Sequence, residues 1–241
     1  MAYAPLIAEA NHDRVFIRLS YFYAACMHIS GRLMSLSILC YSFAMICAVT
    51  FSARFIKYID ILALRITLQV LLNILNGIIA FVAMKQTKMA VEIDLRNKKQ
   101  YIIGVGIAIA LSIVIAVIPA LCGVSLVGGH TDFSWFTIIY DLFFYMLIIS
   151  PVEEFIFRVY LQDVFVGFFN TRKWLGVIIA ALLFGLWHII NGNIIQVLFT
   201  FGIGLVFGFS KYKIKNCGYV GVSLAHGLYD FLNTIVRMFI V

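Results

Sequence analysis

Apolar residues fall in long runs separated by short polar connectors, with neither the alternation of a half-buried strand nor the narrow stripe of a soluble surface helix. A bilayer core of about 30 Å needs about 20 apolar helical residues to cross it. Runs of that kind are predicted at 33–53, 61–84, 101–127, 135 to about 161, 175–190, 194–210 and 219–241. The pattern predicts an all-α fold, a polytopic transmembrane helical bundle of about seven helices, or eight if 15–30 also crosses. Arg18 inside that first segment favours an interfacial helix instead.

The longest polar stretch, 85–100, carries Glu92 and Asp94 among basic residues and reads as a solvated or interfacial helix, with anionic-lipid contact as the alternative. Gly202, Gly204 and Gly208 place small residues along the sixth run, a spacing that lets helix backbones approach closely. No internal repeat, low-complexity tract or Gly/Ser linker divides the chain, so one membrane domain is expected.

Composition sharpens this reading. Hydrophobic residues make up 63% of the sequence and charged residues 12%, and mean hydropathy is +1.03. The formal net charge of +7 does not point to nucleic acid, because the basic residues collect in connectors. These are Lys85, Lys88, Arg96, Lys98 and Lys99, then Arg172 and Lys173, then Lys211, Lys213 and Lys215, and the positive-inside rule makes them cytoplasmic. Connectors 128–134 and 191–193 hold no Lys or Arg, whereas Arg54 and Lys57 run against the pattern. The first residues lack the build of a cleavable signal peptide. Cys26, Cys40, Cys47, Cys122 and Cys217 show no C-x-x-C spacing, so neither a disulfide framework nor a cysteine metal site is expected.

Against this apolar background, Glu153, Glu154, Arg158, His188, His226 and Asp230 stand out. Ionisable groups at bilayer depth cost a few kcal/mol each and persist where they pair or do chemistry. Glu154 and Arg158 are four apart with the acid N-terminal, the favourable order for an ion pair on one helix face. Glu153 is turned about 100° away, toward a different neighbour and away from that arginine. His188 precedes the helix-ending Asn191-Gly192-Asn193, near a boundary where water can reach it, and Phe184 lies one turn below. His226 and Asp230 again share a face, so the carboxylate can fix the imidazole tautomer or stabilise its charged form.

Taken singly, Glu154 with Arg158 reads as a structural ion pair and His188 as an interfacial histidine bonded to a carbonyl; Asp141, Asp163, Asn73 and Asn76 read as packing or boundary residues. Together, three helices supply what amide hydrolysis requires: a base for water, an acid for the leaving amine and donors for the oxyanion. The prediction is a water-filled polar cavity enclosed by these helices, since charges facing lipid are untenable.

Glu153-Glu154-x-x-x-Arg158, Phe184-x-x-x-His188 and His226-x-x-x-Asp230, in that order, resemble the motif set of the CAAX protease and bacteriocin-processing family, also called Abi, of intramembrane proteases. The resemblance covers about 135–241, a catalytic core, and leaves 1–134 as variable N-terminal membrane helices. It implies that Glu153, assisted by His188, activates water, that Glu154 and Arg158 hold the site together, and that His226 and Asp230 support the oxyanion. Many relatives carry Asn where this chain has Asp230; an ionised Asp would repel an oxyanion, so Asp230 is either protonated or orients His226.

No cofactor is expected. Zinc held by Glu153, His188 and His226 is the alternative, although H-E-x-x-H is absent and a ligating Glu153 would not be free as base. The expected partners are the lipid bilayer and a membrane-anchored peptide or protein substrate, lipidated or apolar, with no nucleic acid. The compact chain leans toward a bacterial cell-membrane protein acting on peptides. Two other classes fit the same residues: a non-catalytic bacteriocin-immunity or peptide-binding protein, and a proton-coupled transporter, for which paired broken helices are lacking.

Overall fold

The structure, a computed structural model, describes residues 33–90, 93–124, 133–190 and 192–240. The described residues form helices and short connectors, with no strand among them. We number the helices α1 (Leu33–Tyr58), α2 (Leu62–Gln86), α3 (Lys98–Leu121), α4 (Trp135–Phe168), α5 (Lys173–Ile190), α6 (Ile194–Lys213) and α7 (Tyr219–Phe239). The first six are long and apolar enough to cross a membrane. The last, of 21 residues, is long enough too and carries the polar residues of the third motif. Residues 42–241 form one compact unit, while 33–41, helical throughout, are the described part of a second.

Polar side chains start the helices where the sequence supplies them. The Asn97 carboxamide accepts from Lys99 N at 3.2 Å to open α3, Ser134 Oγ from Thr137 N at 3.3 Å to open α4, and Asn193 from Gln196 N at 3.0 Å to open α6. The helix expected over 85–100 does not form. Thr87 Oγ1 donates to the carbonyls of Ala83 and Met84 at 3.1 and 3.0 Å, Lys88 turns left-handed at φ 56°, and α2 stops. The described residues between there and Asn97 are connector.

Two other boundaries differ from expectation. The third span ends at Leu121 rather than 127, closed by a turn at Cys122 and at Gly123 with its φ of 75°. The fourth continues to Phe168 instead of stopping near 161. The segment 15–30, Cys26, Glu92 and most of connector 128–134 lie outside the described residues. Cys40, Cys47, Cys122 and Cys217 are free thiols.

Both intrahelical prolines share one local device. A proline inside a helix removes one backbone donor and crowds the carbonyl four residues earlier. Here the backbone widens into π-helical turns at Ile113–Val117 before Pro119 and at Tyr145–Ile149 before Pro151. A third π segment, Phe155–Leu161, follows the paired glutamates directly. Its wide turns leave carbonyls to be satisfied from outside, and Lys211 Nζ on α6 donates to Arg158 O at 2.8 Å.

Small residues close the helix contacts. Gly208 of α6 faces Val177 and Gln162, and Gly204 faces Phe184 and Ala181, so the G-x-x-x-G reading holds. Gly202 instead faces open space. Gly104 of α3 lies against the Gly221 carbonyl of α7, and Gly227 lets α7 approach Tyr145 and Ser150 of α4. The outer faces remain apolar, as at Ile102 (76% exposed) and Leu121 (72%), as suits contact with acyl chains. The deepest part is the stretch Ile156–Leu161 of α4, every residue of which is buried.

Candidate active site

At that buried part of α4 and just before it, Arg158 and Glu154 have no exposed surface, and Arg158 Nε lies 3.0 Å from Glu154 Oε2. The guanidinium carbon sits 4.8 Å from the centroid of the Phe184 ring on α5, whose face balances part of the buried charge. Lys211 also meets Asp163 Oδ1 and Oδ2 at 2.6 and 2.7 Å, which ties α6 to the end of α4 and gives Asp163 a boundary role.

The second oxygen of Glu154 reaches across to α7, where His226 Nδ1 donates to Oε1 at 2.9 Å. On the far side of the ring, Nε2 lies 3.2 Å from Asp230 Oδ2 and 3.9 Å from Glu153 Oε2. One imidazole therefore links the two glutamates and Asp230. Glu153, turned away from Arg158 as its position in the helix demands, has an Oε2 without a hydrogen-bond partner among the described residues.

His188 completes the group differently. Its Nδ1 lies 2.8 Å from the Phe184 carbonyl, so that nitrogen donates and Nε2 keeps a lone pair. Phe184 packs edge-on against both histidines, at ring-centroid distances of 4.7 Å to His188 and 5.9 Å to His226. The Phe184-x-x-x-His188 spacing is thus a packing unit as well as a motif.

Two cavities meet at this group. One, of about 880 Å³, lies on the α1 and α2 side; the other, of about 660 Å³, lies among α4, α6 and α7. Glu153 and His188 line both, and His226 and Asp230 line the second. Glu154 and Arg158 line neither and stand behind the others as support.

Several lining residues were not singled out by spacing. Asp141, 6% exposed, lines both cavities and accepts from Thr234 Oγ1 at 2.9 Å. Thr50 Oγ1 accepts from Trp187 Nε1 at 3.2 Å and from Asn76 Nδ2 at 3.1 Å, a three-helix link directly beside His188. Their one advance signal was polarity inside an apolar run, which Thr50, Asn76 and Asp141 share with residues that serve packing alone.

Glu153, His188 and His226 do not make up a three-donor metal set, and no other His, Cys, Asp and Glu side chains among the described residues do so. Both Nδ1 atoms are engaged, and His226 Nε2 is already turned to carboxylate oxygens.

Residues 134–232 match the family described as type II CAAX prenyl endopeptidase Rce1-like, in agreement with the resemblance carried by the three motifs. The match begins at the N-cap of α4 and ends within α7, leaving α1–α3 outside it. No curated protein and no solved structure matches the chain. The family and the spanning helices support a CAAX-type intramembrane protease in the general sense, an integral multi-pass protein acting in a lipid setting.

Proposed function

We propose that this chain, Rce1-like from 134 to 232, is an intramembrane endopeptidase that hydrolyses a peptide bond of a membrane-associated substrate through water activated by Glu153 and His188. The observation that carries the reading is the division of labour between adjacent carboxylates. Glu154 is consumed by Arg158 and His226, whereas Glu153 lines both cavities and makes no such pairing, its buried Oε2 having no hydrogen-bond partner among the described residues.

In the reaction, Glu153 takes a proton from water as the oxygen attacks the scissile carbonyl carbon, and the His188 Nε2 lone pair holds the water's other proton. The carbonyl π electrons move to oxygen. His226, bonded through Nδ1 to Glu154, presents Nε2–H to that oxyanion, with Asp230 orienting the ring. Collapse of the tetrahedral intermediate breaks the C–N bond, and the proton on Glu153 passes to the departing amine. No step is routed through a metal.

Glu153→Gln and His188→Ala are each expected to lower cleavage of membrane-anchored peptides by at least about 100-fold, the usual scale of acid–base assistance. The measurement is mass spectrometry of products from the detergent-purified protein, with insertion and fold checked by gel filtration. Wild-type activity should persist with a strong chelator. Undiminished turnover in both variants would rule out the assignment, and loss of turnover on chelation would restore zinc.

A further inference from the structure

Glu153 and Glu154 stand on a short stretch of ordinary helix between two wider ones. Ser150–Glu154 is α-helical, whereas Tyr145–Ile149 before it and Phe155–Leu161 after it are π-helical, a winding that is rare and recurs at functional sites. Its consequence here is a matter of register. Adjacent residues of a helix point about 100° apart, and that angle sends Glu153 to the cavities and Glu154 to Arg158 and His226. If one π segment gave up its extra residue to the stretch between, every side chain there would turn by one position. In one direction Val152 would face the cavities and Glu153 would take the place of Glu154; in the other, Glu154 would face the cavities and Phe155 would meet His226. Neither arrangement keeps both the base and its support.

Two side chains outside the three motifs hold this stretch by its backbone. Near its N-terminal end, the Tyr219 hydroxyl at the start of α7 donates to Pro151 O at 2.8 Å, and the ring packs edge-on against Phe155 with centroids 6.2 Å apart. Beyond its C-terminal end, Lys211 on α6 donates to Arg158 O at 2.8 Å and to both carboxylate oxygens of Asp163, which uses every N–H of the amine. The Asp163 side chain is 40% exposed, and an ion pair in such a place is worth little by itself. What the inward turn of Lys211 adds is its bond to the backbone of the wholly buried Arg158. Lys211 and Tyr219 line neither of the two cavities, so neither is placed to touch substrate.

We propose that Lys211 and Tyr219 are positioning residues for the hydrolysis: by bonding the carbonyls of Arg158 and Pro151 they fix the register of Ser150–Glu154, which keeps Glu153 on the cavities and Glu154 on His226. The inference rests on the proteolytic reading and deepens it with residues that act through the two glutamates. Ser150, wholly buried, is a further anchor through its bond to the Ser223 carbonyl of α7, so α6 and α7 together set how α4 is wound. A charged donor on a carbonyl biases such a balance by about tenfold or more, a neutral hydroxyl by about threefold. Loss of either bond lowers the fraction of molecules in the productive register and with it kcat, while KM, set in the cavities, stays.

The test uses the full chain in phosphatidylcholine nanodiscs and the best-cleaved member of an N-palmitoylated ten-residue peptide library, with kcat and KM taken per folded molecule. Lys211→Met should lower kcat at least about tenfold and Tyr219→Phe about threefold, with KM within about twofold of wild type. Lys211→Arg, which keeps the charge and the donors, should regain part of the loss. Lys215→Met, exposed in the connector between α6 and α7, should match wild type. A second measurement reads the register without turnover. The imidazole nitrogen NMR signals of His226, assigned in histidine-labelled protein through His226→Gln, should shift in Lys211→Met and keep their place in Lys215→Met.

Unchanged kcat in Lys211→Met, or a raised KM with kcat kept, overturns the inference while leaving hydrolysis standing. A lowered kcat with the His226 signals in their wild-type place assigns Lys211 to general stability and likewise overturns it. If Lys211→Met does not fold, Tyr219→Phe, which removes a single hydroxyl, carries the same comparison. If the wild type cuts no peptide, the hydrolytic reading fails and the register is judged on the His226 signals alone. A shift in Lys211→Met then sustains the clamp, and no shift rejects both ideas.

Discussion

Arg158 is wholly enclosed, and its charge is tolerated because Glu154 lies 3.0 Å away and the Phe184 ring covers one side. Removing one partner of such a pair leaves the other charged and alone, at a cost of about 3–5 kcal/mol, whereas replacing both with apolar groups is far less harmful. Arg158→Met is therefore expected to destabilise the protein by that amount in reversible denaturant titrations, and Glu154→Leu with Arg158→Met by less than the sum of the single changes. Additive losses would show that the two side chains do not act as a unit. The intrahelical relations at this scale were legible: Glu154 with Arg158, Phe184 with His188 and His226 with Asp230 each lie four apart, where helix geometry leaves little choice. The relation across helices was not. That His226 Nδ1 would turn to Glu154 and leave Nε2 to Asp230 and Glu153 depends on how α7 is rotated against α4, and local spacing carries no information on that.

At the scale of the helices, hydropathy located each span, although it misplaced the ends of the third and fourth by about two turns, and it was silent on their internal shape. The π segments before Pro119 and Pro151 had a sequence cause in those prolines, while Phe155–Leu161 has none that is local. There Lys211 of α6 donates to the Arg158 carbonyl of the widened backbone, and Gln162 of α4 donates in return to the Gly208 carbonyl of α6 at 3.2 Å. Polar stretches misled for a related reason. The 85–100 stretch had helix-compatible residues, yet the Thr87 back-bonds and the Asn97 cap ended one helix and began the next, leaving a connector. Glycine spacing was informative only where a neighbour is present, as Gly202 shows by facing open space. The same contrast exists on α3, where a Cβ at Gly104 would strike the Gly221 backbone carbonyl of α7 and one at Gly106 would meet nothing. Gly104→Ala should cost about 1–3 kcal/mol through overpacking, while Gly106→Ala should be neutral or slightly stabilising. Thermal unfolding of the two variants in one detergent measures the difference, and equal shifts would mean that α3 and α7 do not cross at Gly104.

For the whole molecule, the order of spans and the position of charge make one joint statement about sides. Six turns of direction from α1 to α7 put Lys57, Gly123 and Asn193 on one face of the membrane and Lys88, Arg172 and Lys215 on the other. The second face carries the basic connectors, so it is expected to be cytoplasmic. Single-cysteine variants Lys57→Cys, Lys88→Cys and Arg172→Cys, in a background with the native cysteines replaced by alanine, read this directly. A membrane-impermeant maleimide should label Lys57→Cys on intact cells and the other two after permeabilisation. Labelling of all three from one side would remove a crossing and with it the juxtaposition of α2 and α4 across the larger cavity. Labelling in the reverse sense would keep the helix arrangement but turn Arg54, Lys57 and Arg65 toward the cytoplasm. The side toward which this end of the larger cavity faces decides which peptides can reach Glu153: those presented at the outer surface of the membrane in the expected case, those synthesised and anchored on the inner surface in the reverse one.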